Sequence, residues 1–252
     1  MKDNIISGVI SNIIFLALLI IFGWLVYFFT ERRKLLGFFG IKNSKRLVIY
    51  LGNLRILQGG SLGVDNRPRN YKGTTIVYNE QLTASKYKEK FNYLIPSISD
   101  SPSFLSKILF SDIKVTSIPS PLTENEIEVN CSLVSFGSPG YNKVSKAIEA
   151  YSESKIKFSN DFQSIELDSL PPLNDTLNGF IQRIVLHNGS QSRSLFYVAG
   201  LSEHGTIGSA NYLIDNWKQL RSKYGDNKSF TIVLRFPTSN YDNFTIVSER
   251  EN

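Results

Sequence analysis

The apolar and polar positions fall into one long uninterrupted apolar run followed by short apolar segments separated by glycine-rich breaks. The run, Ile5 to Phe29, carries no charge. As a helix rising about 1.5 Å per residue it is roughly 37 Å long, against a hydrocarbon thickness of about 30 Å. The pattern predicts a membrane span. Where a cleaved signal would need small residues stand Trp24, Tyr27, Phe28 and Phe29, so the reading is an uncleaved anchor. Further on, RLVIYLGNLRI (Arg46 to Ile56) predicts a first buried strand, and Glu80 to Leu94 a helix carrying Leu82, Tyr87, Phe91 and Leu94. Phe104 to Phe110 suits a short element, and the alternation Ile127, Val129, Cys131, Leu133 predicts a strand running on to Phe136. Val144, Ala147, Ile148 and Tyr151 then mark a helix. Phe180 to His187 and Leu195 to Ala199, joined at Asn188-Gly189, predict a hairpin. Ile207, Ala210, Ile214, Trp217 and Leu220 share a helical face that Gly225 closes; Phe230 to Phe236 reads as a buried strand and Asn243 to Val247 as an edge strand.

The order predicts an α/β fold: an N-terminal transmembrane helix followed by a Rossmann-like, mostly parallel sheet with flanking helices. The expected divisions are residues 1–30 as transmembrane helix, 31–45 as a basic juxtamembrane collar lying against the membrane, and 46–252 as one ligand-binding domain. Charge supplies orientation. Lys2 and Asp3 precede the span, whereas Arg32, Arg33, Lys34, Lys42, Lys45 and Arg46 follow it, the bias that holds a flank in the cytoplasm. The expected location is the inner membrane, single-pass, with the C-terminal domain cytoplasmic. Cys131 stands alone, so no internal disulfide is possible, as suits a reducing compartment. The net charge of +6 lies partly in the juxtamembrane cluster and leaves only a mild excess for an anionic ligand.

Within the span, Asn4, Gly8, Ser11 and Asn12 share one helical face. Two readings stand: polar residues tolerated near the outer headgroups, or a stripe along which the spans of a homo-oligomer meet and line a pore.

Chemistry concentrates where strands end. Gly52 and Asn53 follow the first strand and lead to a loop with Gly59, Gly60, Arg67 and Arg69. The guanidinium groups suit phosphate, or equally solvent or lipid. Gly137, Ser138 and Asn142 follow Phe136; Gly200, Glu203, Gly205 and Thr206 follow Ala199. A strand turning through small residues into a helix offers N–H groups to an anion, and in an open parallel sheet such loops share one crevice. With two histidines and one cysteine, no zinc spacing exists and neither a metal nor a cofactor is expected. The catalytic candidates are carboxylates, Glu80 and Glu203, suited to N-glycoside cleavage or, for Glu203, to favouring a helix N-terminus.

The Ile5 to Phe29 span, RRKLLGFFGI, RLVIYLGNL followed by GG, FGSPGYN and AGLSEHGTIGSANYL together resemble the single-pass membrane effectors of bacterial anti-phage defence, found in nucleotide-signalling systems such as CBASS, type III CRISPR and Hailong. The resemblance implies a homo-oligomer in the bilayer, an ion channel or membrane-disrupting pore controlled by a nucleotide or oligonucleotide, and a partner enzyme that synthesises it. The body is also similar to nucleoside deoxyribosyltransferase-like domains, without a clear match to their catalytic motif. That similarity implies the alternative, a membrane-tethered nucleoside or NAD N-glycosidase-like enzyme.

Overall fold

The computed structural model describes residues 2–41, 46–54, 77–94, 113–128, 130–168, 170–188, 191–238 and 240–252. The short element expected at 104–110 lies outside these residues. Helix α1 spans Lys2–Phe38 and β1 spans Arg46–Leu51. There follow α2 (Tyr78–Leu94), β2 (Lys114–Pro119), β3 (Ser132–Phe136) and α3 (Lys143–Glu149). The short strands β4 (Ile156–Phe158) and β5 (Ile165–Leu167) pair with each other, apart from the main sheet. The hairpin β6 (Asn178–Asn188) and β7 (Gln191–Gly200) leads to α4 (Glu203–Asp215) and α5 (Trp217–Tyr224), and the chain closes with β8 (Phe230–Arg235) and β9 (Thr245–Glu251).

Among the described residues, seven strands form one sheet in the order β2-β1-β3-β7-β6-β8-β9. The pairs β1–β2, β1–β3 and β3–β7 are parallel, whereas β6 runs antiparallel to both β7 and β8, and β9 to β8. The fold is thus α/β with a mixed sheet. A short hairpin connection forces β6 to run against β7, and β8 then pairs on the far side of β6, so the β7-α4-α5-β8 crossover straddles one strand. Two boundaries differ from the pattern. The strand expected from Ile127 begins only at Ser132, after a 3-10 turn at Glu124–Glu126. The single helix expected through Leu220 breaks at Asn216, whose side chain donates to the Tyr212 carbonyl at 3.1 Å.

The sheet is covered on both faces, which is why its central strands read as continuous apolar runs. Leu47, Ile49 and Leu51 pack with the end of α1, α2, α4 and α5; Val48 and Tyr50, on the other face, pack with α3 and the β4–β5 pair.

Residues 31–38 do not form a segment separate from the span and the domain. They continue α1, and Leu35, Phe38, Phe39 and Ile41 are core residues. Phe38 stacks on Phe230 with centroids 6.3 Å apart and lies 5.6 Å from Phe196. Phe39 meets Phe196 at 5.1 Å, Phe91 at 5.2 Å and Tyr87 at 6.2 Å. Beneath Phe38 lies the buried Arg183, its guanidinium carbon 5.0 Å from the ring centroid. Its Nη1 donates to the Gly225 carbonyl at 2.9 Å, Nε and Nη2 donate to Ser194 Oγ at 3.2 Å each, and Nη2 also donates to the Asp226 carbonyl. Gly40 ends the helix. At φ +68° it donates to the Gly37 carbonyl while Ile41 donates to that of Leu36, the paired bonds of a Schellman cap. A Cβ there would stand 2.6 Å from the Ser194 nitrogen.

Truncating Phe39 removes a ring from this cluster. Phe39→Ala is expected to lower stability by about 3–5 kcal/mol, whereas Phe22→Ala, on an exposed ring of α1, leaves it nearly unchanged. Urea unfolding of the detergent-solubilised chain measures both.

Candidate site at the carboxyl edge of the sheet

Because β2 and β3 flank β1 on opposite sides, the chain leaves β1 in one direction and returns on the other. Such a switch point opens a crevice at the carboxyl ends of the strands. Gly52 follows β1 there, Gly137 follows β3, Gly200 ends β7, and the first turns of α2 and α4 stand over them.

Among the described residues one buried carboxylate lies at this edge. Glu80, in the first turn of α2, is 5% exposed, and its Oε2 accepts the Gly52 N–H at 2.6 Å. Its other oxygen, Oε1, takes no hydrogen bond among the described residues. It lies 3.0 Å from where a Cβ on Gly137 would stand. Gly137 has φ +88°, so glycine there supplies both the turn out of β3 and the space for the carboxylate. Burial pushes the Glu80 pKa up to about 7; the Gly52 N–H opposes this and the charge of Glu203 adds to it. Glu203 is exposed and accepts Asn79 Nδ2 at 2.7 Å. The two candidate carboxylates thus meet across Asn79, a residue that the sequence pattern did not single out.

At the rim, His204 Nε2 lies 3.1 Å from the Phe236 carbonyl oxygen and its ring 5.1 Å from that of Tyr241.

At the start of α3 the expected bare N–H groups are already occupied, and in α4 that of Gly205 is. Asn142 caps α3 by accepting from Val144 at 2.9 Å and Ser145 at 3.4 Å, while its Nδ2 donates to the carbonyls of Phe136 and Tyr50. The Lys143 N–H goes to Ser120 Oγ, and Ser145 Oγ donates to the Gly137 carbonyl. The Ser138 carbonyl accepts from Tyr141 and Asn142, and the Asn53 N–H donates to the Tyr141 carbonyl. In the third loop Ser202 Oγ accepts the Gly205 N–H at 3.2 Å, and the Ser202 carbonyl accepts both Thr206 N–H and Thr206 Oγ1. Gly200 and Gly205 instead let α4 approach the sheet: a Cβ on Gly200 would stand 2.7 Å from the Thr206 nitrogen. Asn53, Asn142, Gly205 and Thr206 thus make hydrogen bonds that close the loops on themselves.

Gly59, Gly60, Arg67 and Arg69 lie outside the described residues, as do the side chains of Asn4, Ser11 and the position of Gly8 beyond its helical backbone. Asn12 is exposed on α1. Among the described residues no group of three or more His, Cys, Asp or Glu side chains forms a metal-binding cluster. No family model, curated protein or solved structure matches this chain, and the site is read from its own geometry.

The Glu80 pKa carries a stability consequence. An unfolded glutamate titrates near 4.5 and the folded one near about 7. Below the unfolded value both states are protonated; as pH rises towards about 7 the folded state alone retains the proton. Stability therefore falls through that window, by about 3 kcal/mol in total. Wild-type urea midpoints should drop between about pH 5 and about pH 8. Glu80→Gln should flatten the drop, and Glu203→Gln should shift it to lower pH.

Proposed function

We propose that the chain is a single-pass effector of the inner membrane, its cytoplasmic domain Rossmann-like in the parallel β2-β1-β3-β7 half. The crevice takes a nucleotide or oligonucleotide, and a homo-oligomer of spans forms an ion channel or membrane-disrupting pore that this ligand controls in anti-phage defence. A nucleotide-synthesising enzyme is its partner in that role.

The observation that carries this reading is Glu80 Oε1, an acceptor without a donor among the described residues, in a buried side chain at the switch point. A ribose hydroxyl or a base amine supplies the missing donor, the use to which an acidic residue is put in dinucleotide-binding sheets. Phosphate finds no open helix N-terminus in α3, whose first N–H groups go to Ser120 and Asn142, and would draw on basic groups such as Arg67 and Arg69.

The membrane part rests on α1. Among the described residues, Asn12–Phe38 is long and apolar enough to cross a membrane, and only 6% of its most apolar window is buried. Its large apolar side chains from Ile13 to Tyr27 need a cover that the domain does not provide. The last turns of the same helix belong to the core, which favours a retained anchor over a removed leader. Arg32, Arg33 and Lys34 after the span favour a cytoplasmic domain. Asn12 in hydrocarbon is costly without a partner, and a neighbouring span offers one.

Control follows from packing. Tyr87 of α2 donates to the Ala210 carbonyl at 2.7 Å and its ring meets Phe39 and Phe136. The helix that carries Glu80 thus rests on the inner end of α1. A ligand that binds one arrangement of α2 better than another biases the helix ends accordingly.

A second reading, an N-glycosidase-like enzyme, draws on the Glu80 pKa of about 7, since such a group both gives and takes protons at neutral pH. Full-length protein in dye-loaded liposomes, challenged with ATP, NAD+ and cyclic oligonucleotides, separates the two. The effector reading expects flux that one nucleotide raises and Asn12→Leu abolishes, from a defined oligomer. A monomer leaving vesicles tight with every nucleotide contradicts it. Base release from NAD+ that Glu80→Gln abolishes selects the enzyme.

A further inference from the structure

Along α1 the burial changes at one point. From Ile13 to Tyr27 the large apolar side chains are exposed, whereas Phe28, Glu31, Arg32, Leu35 and Phe38 are buried on one helical face. The helix leaves the domain at Tyr27.

Helix α5 stands at this exit. Lys218 Nζ lies 2.5 Å from Glu31 Oε2, 3.5 Å from the Tyr27 hydroxyl and 5.8 Å from the Tyr27 ring centroid. Lys34 reaches the same carboxylate at 2.8 Å. An ion pair of this kind is costly in hydrocarbon, and the run from Ile13 to Val26 is costly in water. The boundary of the membrane must fall between them, within about one helical turn of Tyr27. That puts the start of α5 at headgroup depth.

The charges there are mostly cations. The Lys218 and Lys223 side chains are 54% and 57% exposed and that of Lys34 is 43% exposed; Arg33 is exposed as well. Two ammonium groups share the one carboxylate of Glu31. Asp226 is held by Arg221 at 2.7 Å and Glu249 by Lys223 and Tyr224. Asp215, at the end of α4, is the remaining exposed acid of this stretch of α4 and α5.

We propose that α5 and the last turns of α1 form a basic platform that docks on anionic phospholipid headgroups. The proposal rests on the reading of α1 as a membrane span and adds a second membrane contact to it. Docking fixes the domain's posture. The amino edge of the sheet, where α1 feeds β1, faces the bilayer, and the crevice of Glu80 at the opposite edge faces the cytoplasm.

The test is amine acetylation of the full chain in nanodiscs of phosphatidylcholine alone or mixed with phosphatidylglycerol, read lysine by lysine by mass spectrometry. Lys218 and Lys223 are expected to react about fivefold more slowly in the anionic discs, the factor that one basic side chain gains at such a surface. Added salt should relieve the difference, and Lys143 and Lys146 of α3 should react equally in both. In an Arg33→Gln/Lys223→Gln variant, whose changes lie on exposed side chains, the protection of Lys218 should shrink. Equal Lys218 and Lys223 rates in the two lipids overturn the platform even if the chain stays in membranes at alkaline pH. Release of the chain by alkaline carbonate overturns the span beneath it.

Discussion

A helix whose outer surface is apolar all round must be covered, and whatever grips its inner end decides where the attached domain stands. In this chain the grip is the aromatic cluster of Phe38 and Phe39 against Phe91, Phe196 and Phe230, floored by the guanidinium of Arg183. Burying one such ring contributes roughly 1.5–3 kcal/mol. The cost of placing Arg183 inside is offset by carbonyls of Gly225 and Asp226 and by the Ser194 hydroxyl. Burial moves the Arg183 pKa down to about 10, so the group stays charged at neutral pH and continues to hold the loop that closes α5. Without this cluster α1 would be a tether; with it, the helix is part of the domain.

The opposite edge of the sheet follows another constraint, the need of every helix start to satisfy its N–H groups. Asn142 and Ser120 do this for α3, and Ser202 takes the Gly205 N–H of α4. Among the described residues, the carboxylates of Glu80 and Glu203 stand at this edge, the first buried and the second exposed. The two edges are joined by α2, which starts at the crevice with Glu80 and packs its middle, through Tyr87 and Phe91, on Phe39.

Much of the fold was legible in the sequence because its signals are local. The β6–β7 hairpin follows from two apolar runs around Asn188-Gly189, and the start of α2 and the Gly225 stop follow from periodicity and a C-cap. The inner end of α1 was obscured by charge: Arg32, Arg33 and Lys34 suggest a membrane-surface collar. Yet Phe28, Leu35 and Phe38 keep the helical period across them, and that spacing was the available signal. The capping roles of Asn142 and Ser202 were equally available, since both residue types favour the N-cap; glycine content drew the reading towards ligand instead. The convergence of Glu80, Gly52 and Gly137 was only half visible. The loops were expected to share an edge, but which carboxylate enters depends on where α2 packs, a tertiary choice that no local pattern encodes. Asn79 and Ser120 carried no signal beyond polarity.

The central claim is that the inner end of α1 and the sheet unfold as one body. Native-state hydrogen exchange in detergent micelles tests it most directly, because amides opening only with the whole domain share its free energy. The amides of Phe39, Gly40 and Ile41, bonded to Leu35, Gly37 and Leu36, should exchange as slowly as those of Phe196 and Val198 in β7 and lose protection at the same denaturant concentration. Exchange of residues 39–41 through a separate, lower-energy opening, with β7 still protected, would contradict the account.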